Sequence, residues 1–372
     1  MKQTETELAA RIKSYIRDTG PIPVSEYMSL CLLDPTHGFY PTRDPLGSEG
    51  DFITAPEISQ MFGEVLGLWV IQSWRDIGSP ARFNLVELGP GRGIMMADIL
   101  RSVRLDLHCM SAVRVHLIEV SAALESVQAE SLIDTPAIVK WVQSLDDLPD
   151  DPTIIIGNEF LDCLPIRQAV QSDPFAAQNG WQERLIGLDD DGNFRFQLDP
   201  APLSPTLQAA LPKGHEEARK DELVEFCPPA FQIMEQIKQL FESHPGRALF
   251  IDYGPETTEF GDTLQALKRH KKVGVFDLPG ESDLTARVNF QALAQAASQS
   301  GLMASAIVTQ AELLSKLGIE MRAVTLARHK PEAKPKILRQ LHRLMDSEEM
   351  GQLFKAICIS ADGLDVPLGF RT

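Results

Sequence analysis

The segment Asn84-Leu-Val-Glu-Leu-Gly-Pro-Gly-Arg-Gly93 constrains the fold of this chain more than any other. An apolar run enters Glu87, glycines follow at Gly89, Gly91 and Gly93, and a helical pattern begins at Ile94. Glycines at such a turn accept positive φ and let a ligand approach main-chain N–H groups where a helix starts. A strand, loop and helix in this order hold a nucleotide-like cofactor at the carboxyl end of a parallel sheet. Spacing narrows the choice. A dinucleotide loop needs G-x-G-x-x-G/A, yet the last slot falls on Ile94 counted from Gly89 and on Met96 counted from Gly91. No G-x-x-x-x-G-K-S/T occurs, so a P-loop is absent.

The periodicity around the loop fits an α/β chain. After Pro80, short β-type runs alternate with helical stretches: Phe83–Leu88, Val113–Val120, Ala137–Trp141, Thr153–Gly157, Ala248–Asp252, Met321–Ala327 and Phe354–Ile359. They predict a seven-stranded, mostly parallel Rossmann-like sheet: five parallel strands, then a late hairpin of the sixth and seventh that carries an antiparallel strand. Before it, helical patterns cover residues 6–17, 24–33 and 58–77, with a turn-rich loop at 34–50. Trp181–Leu188 and Phe194–Leu198 flank the turn residues 189–193 and predict a hairpin inside an insertion. Phe231, Met234, Ile237 and Phe241 form a helical stripe. The expected organisation is an N-terminal helical cap with a lid loop (1–79), then a core (80–372) with insertions at about 167–230 and 255–300.

Composition excludes some classes. The 372 residues carry 35 Lys and Arg against 52 Asp and Glu, a net charge of −17, which opposes non-specific polyanion binding. Residues 322–343 are locally basic but lack the interleaved aromatics that stack on bases, so no nucleic-acid partner is expected. The five cysteines are scattered without a CxxC pair, and the histidines lack metal-ligand spacing, so no metal is expected. No run approaches the ~18 apolar residues of a membrane span, and the N-terminus lacks a signal-peptide core. Membrane insertion is not expected, and the reading is a cytoplasmic protein. Nothing in the sequence speaks to oligomeric state.

An acid two residues before G-x-G-x-G resembles the first motif of class I S-adenosylmethionine (SAM) methyltransferases, where the acid and the glycines hold the aminoacyl end of the cofactor. That resemblance assigns Glu87, Gly89, Gly91 and Gly93 to SAM. Glu119, at the end of the next strand, is placed to accept hydrogen bonds from the ribose hydroxyls. Ser144 and Leu145 follow the third strand where related enzymes contact adenine. The fourth strand delivers Asn158, a cofactor candidate, and Glu159 to the same edge, with Asp162 one turn later. Glu159 and Asp162 are the catalytic candidates: paired carboxylates can orient a guanidinium and receive its proton.

Further segments make the resemblance specific. They are His37-Gly-Phe-Tyr40, Asp44-Pro-Leu-Gly47, Gly50-Asp-Phe-Ile-Thr-Ala-Pro-Glu-Ile-Ser59, Asn158-Glu-Phe-Leu-Asp162, Ile251-Asp-Tyr-Gly254, Thr263-Leu-Gln-Ala266 and Met350-Gly-Gln-Leu-Phe354. With the glycine loop they resemble the MidA family, which includes the mitochondrial complex I assembly methyltransferase. The resemblance implies a protein arginine methyltransferase that makes symmetric dimethylarginine on a core subunit of respiratory complex I, its protein partner. Alternatives are a non-catalytic SAM-binding assembly chaperone and a methyltransferase for RNA or a small molecule. Asp51, Thr54 and Glu57, from the lid loop, and Tyr253, from the fifth strand end, are expected to face the substrate.

Overall fold

The computed structural model describes residues 5–42, 54–173 and 180–371. Its chain separates into two compact units, each assembled from three stretches: 1–52, 162–232 and 255–295 in one, 53–161, 233–254 and 296–372 in the other. The N-terminal helices and the two expected insertions thus form one unit. Helix Gln60–Asp76 lies in the second unit, with the parallel sheet.

In the first unit, Glu7–Thr19 and Val24–Leu33 are helices, the former capped by the Thr6 side chain accepting from Ala9 N. Their apolar stripe, Leu8, Ile12, Ile16, Tyr27 and Met28, is buried with Ile186 in one core. The expected hairpin forms between Trp181–Leu188 and Phe194–Pro202, and lies in an antiparallel sheet with Arg167–Gln171, Leu223–Phe226 and Ile22–Pro23. Gln265–Lys268 pairs with Lys271–Val273 and Asp283–Thr285 in a smaller sheet.

In the second unit a short helix, Ala55–Ile58, precedes helix α1 (Gln60–Asp76), and β1 (Phe83–Leu88), α2 (Ile94–Val103), β2 (Val113–Ile118), α3 (Ala122–Ser131), β3 (Ile138–Val142) and β4 (Thr153–Asn158) come after it. It closes with β5 (Gly246–Tyr253), α4 (Ile319–His329), α5 (Lys334–Met345) and β6 (Phe354–Ser360). The sheet order is β6-β5-β4-β1-β2-β3, with β1 to β5 parallel and β6 antiparallel to β5. Burial explains the continuous apolar runs: every residue of β1 and β4 is buried, as a parallel sheet covered on both faces requires. Strand order reverses between β1 and β4, so the loops at the carboxyl ends there open a crevice.

Helix α1 lies against α2 at close range. A Cβ on Gly63 would sit 2.6 Å from Asp98 Cβ, and one on Gly67 2.5 Å from Ile99 O, so glycine lets the two backbones approach. Glu64, 3% exposed on the same helix, accepts from Arg322 Nε at 2.7 Å and from Arg101 at 3.3 Å. Arg322, counted in the basic segment, therefore neutralises a buried carboxylate.

One expected strand is absent. Met321–Ala327 belongs to α4, where Ile319 and Ala323, four residues apart, are buried at helical spacing. In place of the expected late hairpin, two short pieces, Met303–Ala304 and Val308–Thr309, pair antiparallel with β6. Among the described residues no helix is long and apolar enough to cross a membrane.

Candidate active site

Because β1 to β5 run parallel, Glu87, Glu119, Asn158, Glu159 and Tyr253 all come from their carboxyl ends. The loop after β1 turns on three left-handed glycines, Gly89 at φ 59°, Gly91 at 53° and Gly93 at 76°. Gly93 caps α2, and a Cβ there would meet Gln128 Cα at 3.2 Å. Both conditions, positive φ and a close neighbour, require glycine at that position.

Glu87 is 2% exposed, and its Oε2 finds no hydrogen-bond partner among the described residues. Burial pushes its carboxyl up to about 8. A buried carboxyl oxygen without a partner has the chemistry to receive a cationic group such as an ammonium.

Glu119 follows β2. Its Oε1 accepts from Val120 N and Ser121 N, both at 2.8 Å, and its Oε2 accepts from Gln128 Nε2 at 2.9 Å. Burial raises its pKa, and these donors oppose the rise. A carboxylate fixed this way still has lone pairs for a vicinal diol. Ser144 begins a short 3-10 turn, Leu145–Asp147, accepting from Asp146 N at 3.2 Å, and Leu145 is buried.

At the end of β4, Glu159 adopts φ 50°, a left-handed conformation that costs a non-glycine residue about 1–2 kcal/mol. Its N–H donates to Ile251 O at 2.9 Å, and its Oε1 accepts from Ala55 N at 2.7 Å and Asn158 Nδ2 at 3.2 Å. Burial, joined by the nearby carboxylates of Asp252 and Glu57, pushes the Glu159 carboxyl up to about 8, against the Ala55 N–H. Asn158 is 7% exposed and its Oδ1 is unpartnered among the described residues.

The lid segment contributes Thr54 and Glu57 at the first turn of Ala55–Ile58, where Glu57 Oε2 accepts from Thr54 N at 3.4 Å. Tyr253 ends β5 with its ring centroid 6.0 Å from that of Phe354. Asp51 lies outside the described residues. Asp162 belongs to the first unit, where its carbonyl accepts from Ala286 N at 2.9 Å.

Two residues serve the site beyond the candidates named above. Asp252, 1% exposed, accepts from Phe160 N at 3.1 Å and Leu161 N at 2.8 Å, and so secures the turn that follows Glu159. The other is Gln128, fully buried between Glu119 and the glycine loop. Asp252 stood within a quoted motif at a strand end, whereas a glutamine within a helical pattern carries no signal.

The family model for S-adenosyl-L-methionine-dependent methyltransferases matches residues 65–308, which hold the loop, Glu119 and Glu159. The chain belongs to this family. Mouse (Mus musculus) "Protein arginine methyltransferase NDUFAF7, mitochondrial" is 35% identical over 373 residues, covering 94% of this chain and 83% of its own. The Caenorhabditis elegans homolog of that protein is 35% identical over 370 residues, covering 92% and 83%. A Burkholderia thailandensis protein, solved with S-adenosyl-homocysteine bound, superposes with a TM-score of 0.83 at 27% identity, over 97% of this chain and 93% of its own. The methyltransferase therefore uses SAM as its cofactor. The expected cytoplasmic location is overturned by the curated relatives, whose names place them in mitochondria.

Proposed function

We propose that this methyltransferase modifies arginine side chains of a protein, and that its substrate is a core subunit of respiratory complex I, left with symmetric dimethylarginine during assembly. The observation that carries the reading is Glu159, set in a strained conformation at the sheet edge beside the carboxylates of Asp252 and Glu57. The name of the mouse relative, a protein arginine methyltransferase, agrees with it.

When bound, SAM supplies an electrophilic methyl group on a sulfonium. Glu87 and the glycine loop hold its aminoacyl end, Asn158 lies beside them, Glu119 takes the ribose, and Ser144 with Leu145 flanks the adenine. The acceptor is the harder partner. A guanidinium stays protonated up to pH ~12 and is a poor nucleophile until its N–H groups are oriented and a proton is accepted. The arriving cation favours the ionised form of Glu159. As the N–CH3 bond forms and the S–CH3 bond breaks with its electron pair moving to sulfur, one guanidinium proton passes to the Glu159 carboxylate. Thr54, Glu57 and Tyr253 bound the acceptor.

The test is transfer of radiolabelled methyl from SAM into lysate of a strain lacking this protein, with the labelled band identified and its modified residue mapped. A labelled protein carrying dimethylarginine is the expected result. A labelled RNA band without labelled protein overturns the reading.

A further inference from the structure

Helix α3 contacts the glycine loop at three successive residues. Gln128 Nε2 donates to Gly91 O at 2.8 Å, and Ser131 Oγ, three positions on and therefore on the same helix face, donates to Arg92 O at 2.8 Å. Gly93 lies against the Gln128 backbone, with room for no side chain of its own. In a trans peptide the C=O and the following N–H point in opposite directions, so drawing the Gly91 carbonyl to the helix turns the Arg92 N–H away from it.

The same Gln128 Nε2 also donates to Glu119 Oε2 at 2.9 Å, while Gln128 Oε1 accepts from Trp141 Nε1 at 2.8 Å. A buried primary amide thus has both N–H donors used and its oxygen engaged: the indole N–H can only donate, which fixes the amide's orientation. One side chain joins the loop after β1, the acid after β2 and a tryptophan of β3. Backbone bonds from Gly89 N to Ile118 O and from Glu119 N to Val142 O, both 3.2 Å, also join these elements.

We propose that Gln128 is the positioning residue of the cofactor site. It holds the Glu119 carboxylate and the glycine-loop backbone in one rigid frame, so that the aminoacyl and ribose parts of SAM meet prearranged partners, and it makes Trp141 an optical reporter of occupancy. The inference rests on SAM lying at the glycine loop and Glu119. Gln128 itself touches neither the reacting atoms nor the cofactor in this scheme. Its influence falls on cofactor affinity, since uniform binding energy is lost when preorganised partners become mobile.

The experiment uses the full chain with SAM and S-adenosyl-homocysteine as probes. Calorimetry on wild type first establishes binding; absence of binding there refutes the cofactor site itself, a different failure. Gln128→Met keeps the volume and removes all three hydrogen bonds. A folded Gln128→Met variant is expected to bind both probes about 10- to 100-fold more weakly, because one lost partner is a charged carboxylate. Tryptophan fluorescence is expected to change on titrating wild type with S-adenosyl-homocysteine, and the change is expected to vanish in Trp141→Phe. Trp141→Phe, which leaves both Gln128 donations in place, keeps the proposal testable if Gln128→Met does not fold. Unchanged affinity in folded Gln128→Met, or a fluorescence response that survives in Trp141→Phe, overturns it.

Discussion

Ala55 N donates to Glu159 Oε1 at 2.7 Å, so the first turn of one short helix and a left-handed residue at the end of β4 hold a single carboxylate between them. That pairing ties the segment before α1 to the carboxyl edge of the sheet. It also gives Glu159 a geometry that its own backbone preference opposes. Removing the carboxylate tests this. Glu159→Gln is expected to keep SAM affinity within about threefold while lowering methyl transfer at least 100-fold, as general-base losses do. Glu159→Gly is expected to abolish transfer and yet leave stability unchanged or raised, because glycine relieves about 1 kcal/mol of backbone strain. Calorimetry, a transfer assay and thermal unfolding on the two variants check all three outcomes.

Glu87 sets a pH dependence. Burial holds its proton up to about 8, well above the ordinary 4.5, and the unfolded chain does not share this shift. Its contribution to the ligand-free fold is therefore complete below about pH 4.5 and is lost as pH rises to about 8. Glu159 acts with the same sign. The Glu87→Gln variant is expected to lose less stability than wild type between about pH 5 and 8, by denaturant titration. Binding reverses the preference, since an ammonium partner stabilises the carboxylate. Calorimetry in buffers of different ionisation heat is expected to record release of up to one proton per SAM near neutral pH, and less in Glu87→Gln. Affinity of that variant should fall about tenfold or more.

Gly93→Ala places a side chain at φ 76° and 3.2 Å from Gln128 Cα. The expected cost is about 1–2 kcal/mol of stability from the left-handed backbone alone. The loop must also shift, so SAM binding is expected to weaken more than stability does. Comparing the change in binding free energy with that in unfolding free energy decides it: equal losses would mean that the substitution acts through the fold only.

Arg322→Leu removes the nearer of the two cations that meet buried Glu64. Arg101 remains at 3.3 Å, so the expected loss is about 1–3 kcal/mol in a denaturant titration, the range for an under-satisfied buried charge. Arg328→Leu on the same helix, where Arg328 forms no ion pair among the described residues, is expected to change stability by less than about 0.5 kcal/mol.

The residues that were legible in the sequence are those whose role is set locally. The glycine loop announces itself because three backbone positions need positive φ, and β1 and β4 because full burial demands unbroken apolar runs. Met321–Ala327 misled because Val324 and Thr325 favour strands, whereas the burial of Ile319 and Ala323 follows helical spacing and the tertiary packing prevails. Gln128, Asp252 and the Glu64–Arg322 pair act across 9 to 258 residues of chain, and no local pattern encodes such partnerships. The assembly of one unit from the N-terminus and both insertions is non-local in the same way.

Strand β6 has a consequence for the timing of synthesis. It covers the side of β5 that β4 leaves open, yet it lies about a hundred residues further along the chain. At roughly 5–20 residues per second, the ribosome exposes an unpaired apolar edge, Ala248 to Ile251, for several seconds before its partner emerges. The sheet is therefore completed only once residues 354–360 have emerged, and until then the nascent chain carries an open strand edge that a chaperone could shield.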